Sequence, residues 1–263
     1  MRIGTFARNV DQVRFAASAK PDFIDLRMDL NHGLDFREVG GILTENGISC
    51  TLHLPSDPGW SPMDLSKEII PFIDIGGEIE ADLVTFHTAL STLFYDDEAI
   101  DNFLEGVPLV CDAAKEIGIQ LAVETLGLYY TELALMFDKC PEITIALDIG
   151  HGQIMAHRNR ALELIPAFHD KIAIVNVHDN KGALMVDEVV KTRRKRRVTR
   201  LEMREIARKY DTHDQIGSGC IDFQPIFKEL KERSYEGRFL MMARDPSKFV
   251  EEKEEFTRLW LEA

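Results

Sequence analysis

Short apolar runs alternate with amphipathic stretches along almost the whole chain. Runs rich in Val, Ile, Leu and Phe at residues 2–6, 23–26, 48–52, 83–86, 119–123, 143–147, 172–177 and 239–242 have the length and character of strands buried on both faces. Between them, apolar residues recur at helical spacing over 10–19, 36–46, 64–80, 96–117, 130–138, 160–169 and 248–261. Pro71 is expected to kink or divide the third of these. Eight buried strands separated by helices imply a parallel sheet with right-handed crossovers, and at eight units the natural closure is a (β/α)8 barrel. The chain is therefore expected to be an α/β protein with one domain over residues 1–263. An open doubly wound sheet is the competing architecture, but no strand is followed by GxGxxG or GxxxxGK(S/T).

The connection after the seventh strand breaks this rhythm. Residues 178–238 are about twice the length a single crossover helix needs. They contain helical patterns at 199–209 and 222–233, the second with Asp222 as its expected N-cap and Pro225 in its first turn. They also contain a basic insertion at about 183–210, where the run from Lys191 to Arg200 (KTRRKRRVTR) carries seven basic residues and no acid.

That run stands out because the formal net charge of the 263-residue chain is −14. Such an acidic chain repels nucleic acid at long range and suits a small substrate or cationic metals. The basic run is the place for nucleic acid, an acidic partner or a second subunit to dock, and its plain alternative is a solvated helix. No apolar run reaches the roughly 18–20 residues that span a bilayer, and the first residues read as a strand rather than a leader, so a cytoplasmic protein is expected. Cys50, Cys111, Cys140 and Cys220 form no CxxC pair and are expected to be reduced, mostly buried thiols, with a bridge between two of them left open by the sequence.

Chemistry gathers where the apolar runs stop. The third run ends in His53, the fourth in His87, the fifth in Glu124, and the sixth in Asp148 with His151 just beyond. The seventh leads to His178, and the following loop holds Asp211 and His213. In a barrel all strand ends meet at one mouth, so residues about 160 positions apart can share one small volume. Imidazole and carboxylate together are a ligand set for zinc, manganese or iron. A single strand-end histidine is more often structural, whereas five histidines and three acids in register point to a metal centre. Asp179 and Asn180 are expected to orient ligands. His32, His157 and His169 have loop or helix surroundings and read as solvated or capping; Trp60 and Trp260 read as packing, although Trp60, in the Pro/Gly-rich loop after His53, is within reach of the mouth.

Three segments carry a resemblance to a known family: Leu147-Asp148-Ile149-Gly150-His151, Val177-His178-Asp179-Asn180-Lys181, and the stretch from Asp211-Thr212-His213 to Asp222. Together with His53, His87 and Glu124, they resemble the xylose isomerase-like superfamily of TIM barrels, and within it the endonuclease IV branch (AP endonuclease family 2). The resemblance implies up to three Zn2+ ions. His53, His87 and a bridging Glu124 would hold one; Glu124, Asp148 and His178 a second; His151, Asp211 and His213 a third. The ninth family ligand, a glutamate at the end of the eighth strand, is replaced by Met242, a poor ligand for such metals, with Asp245 the nearest substitute.

The activity implied is a multi-zinc phosphoester hydrolase, with Glu124 and His178 at the chemistry. The alternative is a sugar or sugar-phosphate isomerase or epimerase using one Mn2+ or Mg2+. Losing the final glutamate counts against the alternative, because there it is both ligand and base. A small phosphorylated or sugar substrate is expected in either case. A non-catalytic binding barrel is the third reading.

Overall fold

A computed structural model describes residues 1–29 and 32–263. The strands are β1 (Arg2–Ala7), β2 (Phe23–Arg27), β3 (Ser49–His53), β4 (Val84–His87), β5 (Leu121–Glu124), β6 (Thr144–Asp148), β7 (Ile172–Val177) and β8 (Arg238–Met241). They pair in parallel and in sequence order, and β8 returns to β1, so the sheet is a closed barrel. The helices around it are α1 (Val10–Ser18), α2 (Phe36–Asn46), α3 (Ile73–Glu78), α4 (Asp97–Ile117), α5 (Tyr130–Lys139), α6 (Ile149–Gln153), α7 (Ala161–Phe168), α8 (Gly182–Arg193), α9 (Arg200–Tyr210), α10 (Gln224–Glu232) and α11 (Phe249–Glu262).

Local chemistry explains the boundaries. Asp35 and Asp96 accept hydrogen bonds from the first-turn N–H groups of α2 and α4, and Gly47 and Gly118 end the same helices in the left-handed conformation. The segment expected as one helix at 64–80 is divided around Pro71: a wide turn at Leu65–Ile69, a tight turn at Ile70–Phe72, then α3. The helix α10 begins at Gln224, two residues later than expected, with Phe223 rather than Asp222 at the N-cap, while Asp222 still accepts from the N–H of Gln224 at 3.3 Å.

Alternation along the strands sorts the core into two regions. One set packs outward against the helices. The other set, which includes Phe6, Phe23, Ala122, Ala146, Ile174 and Leu240, packs inside the barrel. Phe23 fills that interior so fully that a Cβ on Gly4 would lie 2.6 Å from its ring, which explains the glycine. The same inward parity, carried two residues further along each strand, changes from apolar to polar. Ala122 is followed by Glu124, Ala146 by Asp148 and Ile174 by Asn176, all buried. The barrel is thus plugged below and chemically armed at the carboxyl end of its strands.

The long seventh connection holds α8, α9 and α10. The basic run covers the last turn of α8 and the turn into α9, which Thr199 and Glu202 cap reciprocally. Its arginines and lysines are largely exposed. The expectation of reduced thiols needs correcting: Cys111 of α4 and Cys140, at the end of α5, are joined in a disulfide, and Cys50 and Cys220 are free. The helix packing puts these two side chains opposite each other, a pairing that spacing alone did not indicate. Among the described residues no helix is long and apolar enough to cross a membrane.

Candidate metal centre

Strand register sets the rim. Arg27 pairs with His53, His87 with Glu124, and Asp148 with Asn176, so neighbouring strands deliver polar side chains at the same height. Three groups of residues result, each with its ligand atoms within 4.8 Å of one another: His53, His87 and Glu124; Glu124, Asp148 and His151; and His151, His178, Asp211 and His213. All eight residues singled out from the sequence lie in these groups. His178, however, gathers with His151, Asp211 and His213 rather than with Glu124. Its ring stacks on that of His213, with centroids 3.8 Å apart and planes 3° from parallel.

The side chains aim at shared points rather than at one another. His87 Nε2 lies 2.9 Å and His53 Nε2 3.6 Å from the Glu124 carboxylate. Yet among the described residues His53 Nε2, His87 Nε2 and Glu124 Oε1 find no partner in hydrogen-bond geometry, although all three atoms are buried. Unpartnered buried atoms of this kind are costly unless something else binds them. The Nδ1 atoms of three of these rings are anchored by backbone. His53 Nδ1 lies 2.8 Å from the Leu54 carbonyl oxygen, His151 Nδ1 3.1 Å from that of Thr125, and His213 Nδ1 3.0 Å from that of Met242. Such contacts fix the tautomer and turn Nε2 inward, as in metal sites. The donor set and its orphaned atoms therefore fit divalent cations.

Asn176 holds the two central acids, donating from Nδ2 to Glu124 at 2.8 Å and to Asp148 at 3.3 Å. The loop that supplies Asp211 and His213 is tied down by Asp179, which accepts from the N–H groups of Asn180, Gly217, Gly219 and Ile221. His213 itself has a φ of 47°, an unusual backbone conformation that this anchoring maintains.

Electrostatics favour charge separation in the cluster. Burial would raise the Asp211 and Glu124 carboxyls, but the histidines beside them hold both well below the usual range. Burial would lower His151, but Asp148, Asp211 and Glu124 push it up to about 10. His178 is raised in the same way, chiefly by Asp148 against burial. A cation entering the group of His151, His178, Asp211 and His213 must therefore displace protons, so its affinity should weaken as pH falls.

The structure also reveals a charged cluster that the sequence reading missed. Arg27, only 5% exposed, lies 3.7 Å from Asp25, 3.5 Å from Asp29 and 3.9 Å from Glu124. Its Nη1 is 3.7 Å from Met242 Sδ, so a guanidinium stands beside the residue that the resemblance sets in place of a metal-binding glutamate. Asp245 does not substitute for it, being exposed and capping the turn at Ser247. The available signal was the alternation Asp25-Leu26-Arg27-Met28-Asp29, since charge on the inward side of a strand has to mean a polar rim. A cavity of about 330 Å³ opens above the groups, lined by residues including Arg27, Trp60, His87, Glu124, Asp211 and His213.

Gly150 makes a specific test possible. A Cβ there would overlap the His178 ring. Gly150→Ala is expected to displace His178 and weaken metal binding at the group of His151, His178, Asp211 and His213 by roughly 10–100-fold, as ligand misorientation does. The first group should bind as before, and calorimetric zinc titration distinguishes the two.

Comparisons with known proteins agree with this architecture. A family model described as xylose isomerase-like TIM barrel matches residues 12–259. An uncharacterized protein of Methanocaldococcus jannaschii is 24% identical over 176 residues, 65% of this chain, and the chain spans 57% of the length of that curated relative. Among solved structures, a D-tagatose 3-epimerase-like protein has a TM-score of 0.72 at 18% identity, covering 98% of this chain and 97% of the other. The IOLI protein with a bound zinc atom has a TM-score of 0.71 at 13% identity, covering 100% and 99%. An AP endonuclease, family 2, from Brucella melitensis has a TM-score of 0.68 at 14% identity, covering 98% of both chains.

Proposed function

The chain belongs to the xylose isomerase-like TIM barrel family, and from that premise we propose that it is a divalent-metal-dependent enzyme that hydrolyses phosphoesters of small molecules. The observation that carries this reading is the pair of ligand groups on either side of Glu124, one holding His53 and His87, the other His151, His178, Asp211 and His213. His151 Nδ1 lies 3.4 Å from Glu124 Oε1, so the two groups adjoin. Each would hold one ion, most simply zinc given the imidazole content, as a solved relative of the same fold binds zinc. When bound, the ions supply charge neutralisation at the phosphoryl oxygens and activation of water. The buried Arg27 guanidinium supplies positive charge beside Met242, where a third ion would lack its last ligand.

Hydrolysis forms one bond from water oxygen to phosphorus and breaks the ester bond. A proton leaves the water and one reaches the departing oxygen. Asp148, 3.0 Å from His178 Nε2, orients that imidazole, and Glu124, which lines the cavity, is placed to take up the first proton. Trp60 covers the site from the side with its ring 5.7 Å from that of His151, limiting water access. The cavity suits a ligand of drug or nucleotide size rather than a duplex.

A panel of small phosphate esters with Zn2+ or Mn2+ tests the proposal. Turnover that a chelator abolishes and added metal restores is expected. Absence of cleavage, together with solvent deuterium entering a ketose, would instead support the isomerase reading, which the epimerase named among the solved relatives favours.

A further inference from the structure

We infer that the substrate carries a phosphate group that Arg8 and Arg208 grip at the rim of the metal cavity, an inference that rests on the hydrolase reading above. Arg8 follows the end of β1's inward face, and Arg208 lies on α9; both line the cavity that contains His87, His151 and His213. The two come from opposite ends of the chain and converge over one volume.

Their environment leaves donors available. Arg8 is held from behind: its Nε contacts Asp29, and its guanidinium lies 4.5 Å from the centre of the Phe6 ring. That arrangement uses Nε and leaves the two terminal nitrogens without a partner among the described residues. On α9 the neighbouring cations are engaged, Lys209 with Glu188 and Arg204 with the Phe94 carbonyl. Arg208 has no ion-pair partner among the described residues. Asp57, which lines the same cavity, spends its carboxylate on the N–H groups of Gly59 at 2.9 Å and Ser61 at 3.0 Å.

In a chain of net charge −14, two arginines facing a cleft with spare donors are unusual. A guanidinium fork matches phosphate oxygens in shape and charge, and two forks match a dianion better than a monoanion. The long seventh connection gains a purpose on this reading. The last turn of α9 presents Arg208 and, three residues on, Asp211, so one helix end delivers both an anion anchor and a metal ligand.

The probes are inorganic phosphate and succinate, titrated calorimetrically into the full chain after chelation and again after zinc reloading. Chelation separates the two ideas, because arginine binding of an anion needs no metal. Phosphate is expected to bind the chelated protein, more weakly as salt rises, and more tightly than succinate. Arg208→Gln should weaken it about tenfold or more, while zinc content after reloading stays at the wild-type level. Arg8→Gln should do the same. If it unfolds through loss of its Asp29 contact, Arg208→Gln, which breaks no ion pair, decides alone. Equal phosphate affinity in wild type and Arg208→Gln, or no binding to the chelated wild type, overturns the inference and leaves the metal reading intact. Preference for succinate overturns the phosphate assignment. Loss of zinc binding in the wild type would instead count against the hydrolase reading.

Discussion

Glu124→Gln is expected to remove nearly all turnover and to lower zinc affinity by more than roughly 100-fold, beyond the loss that follows from disturbing a ligand's outer partners. Glu124 is the acid common to the first two groups, and its carboxylate faces His53, His87 and His151 at once. The amide keeps the shape and the hydrogen bond from Asn176, if flipped to present its oxygen, but loses the charge. Burial works against a bare carboxylate here, and the surrounding histidines hold it ionised. Removing that charge leaves the imidazoles without the group that attracts a cation. Because the fold does not depend on Glu124 for packing, the variant should remain folded. Elemental analysis and steady-state kinetics on the same preparation check both halves. Full zinc content with full activity would be the contrary result.

Arg27→Met should have the largest effect on stability, a loss of about 3–5 kcal/mol by urea unfolding, the usual cost of leaving buried charges without their partner. Asp25, Asp29 and Glu124 all lie within 4 Å of the guanidinium. The pH dependence follows from their ionisation. Burial opposes ionisation of Asp29, but Arg27, His53 and Arg8 hold it far below an ordinary carboxylate. A carboxyl with a depressed pKa stabilises the fold above its unfolded value, and that contribution disappears as pH falls. The gap between wild type and Arg27→Met should therefore narrow on acidification, as the acids protonate and no longer need a counter-charge. Arg27→Lys should fall between the two, keeping the charge but not the planar fork. A gap that is constant with pH would mean that lost packing against Met242, not charge, dominates.

These two residues show unequal visibility in the sequence. Glu124 was legible because it ends a short apolar run, a place where a carboxylate has no reason to be unless the barrel mouth uses it. The same reasoning singled out His53, His87, Asp148 and His178, each at or just past the end of an apolar run. Arg27 was missed because the apolar run was taken to end at Leu26, while β2 continues one residue further. Whether a charged residue is the last of a strand or the first of a loop is not decided by local pattern. It is decided by pairing, here Arg27 with His53.

The grouping of ligands was likewise beyond the sequence. His178 moves toward His213 because Asp179 gathers the distant loop onto β7's end, a tertiary contact with no local signature. The two short surprises, α6 and α8, have similar causes. Asp148 caps α6 by accepting from the His151 N–H at 2.7 Å, so what reads as a glycine-rich turn is a helical one. The helix α8 has little amphipathic contrast, as Gly182, Met185 and Val189 alone face inward. The Cys111–Cys140 bridge depends on how α4 packs on α5, which spacing in the chain does not encode.

The central claim is that two clusters of side chains, separated by Glu124, each hold a divalent cation. Anomalous diffraction at the zinc edge from crystals grown with zinc tests it most directly. The account predicts two peaks, one among His53, His87 and Glu124 and one among His151, His178, Asp211 and His213, with none beside Arg27 and Met242. Absence of a peak from both clusters, or a sole peak between Glu124 and Met242, would contradict it.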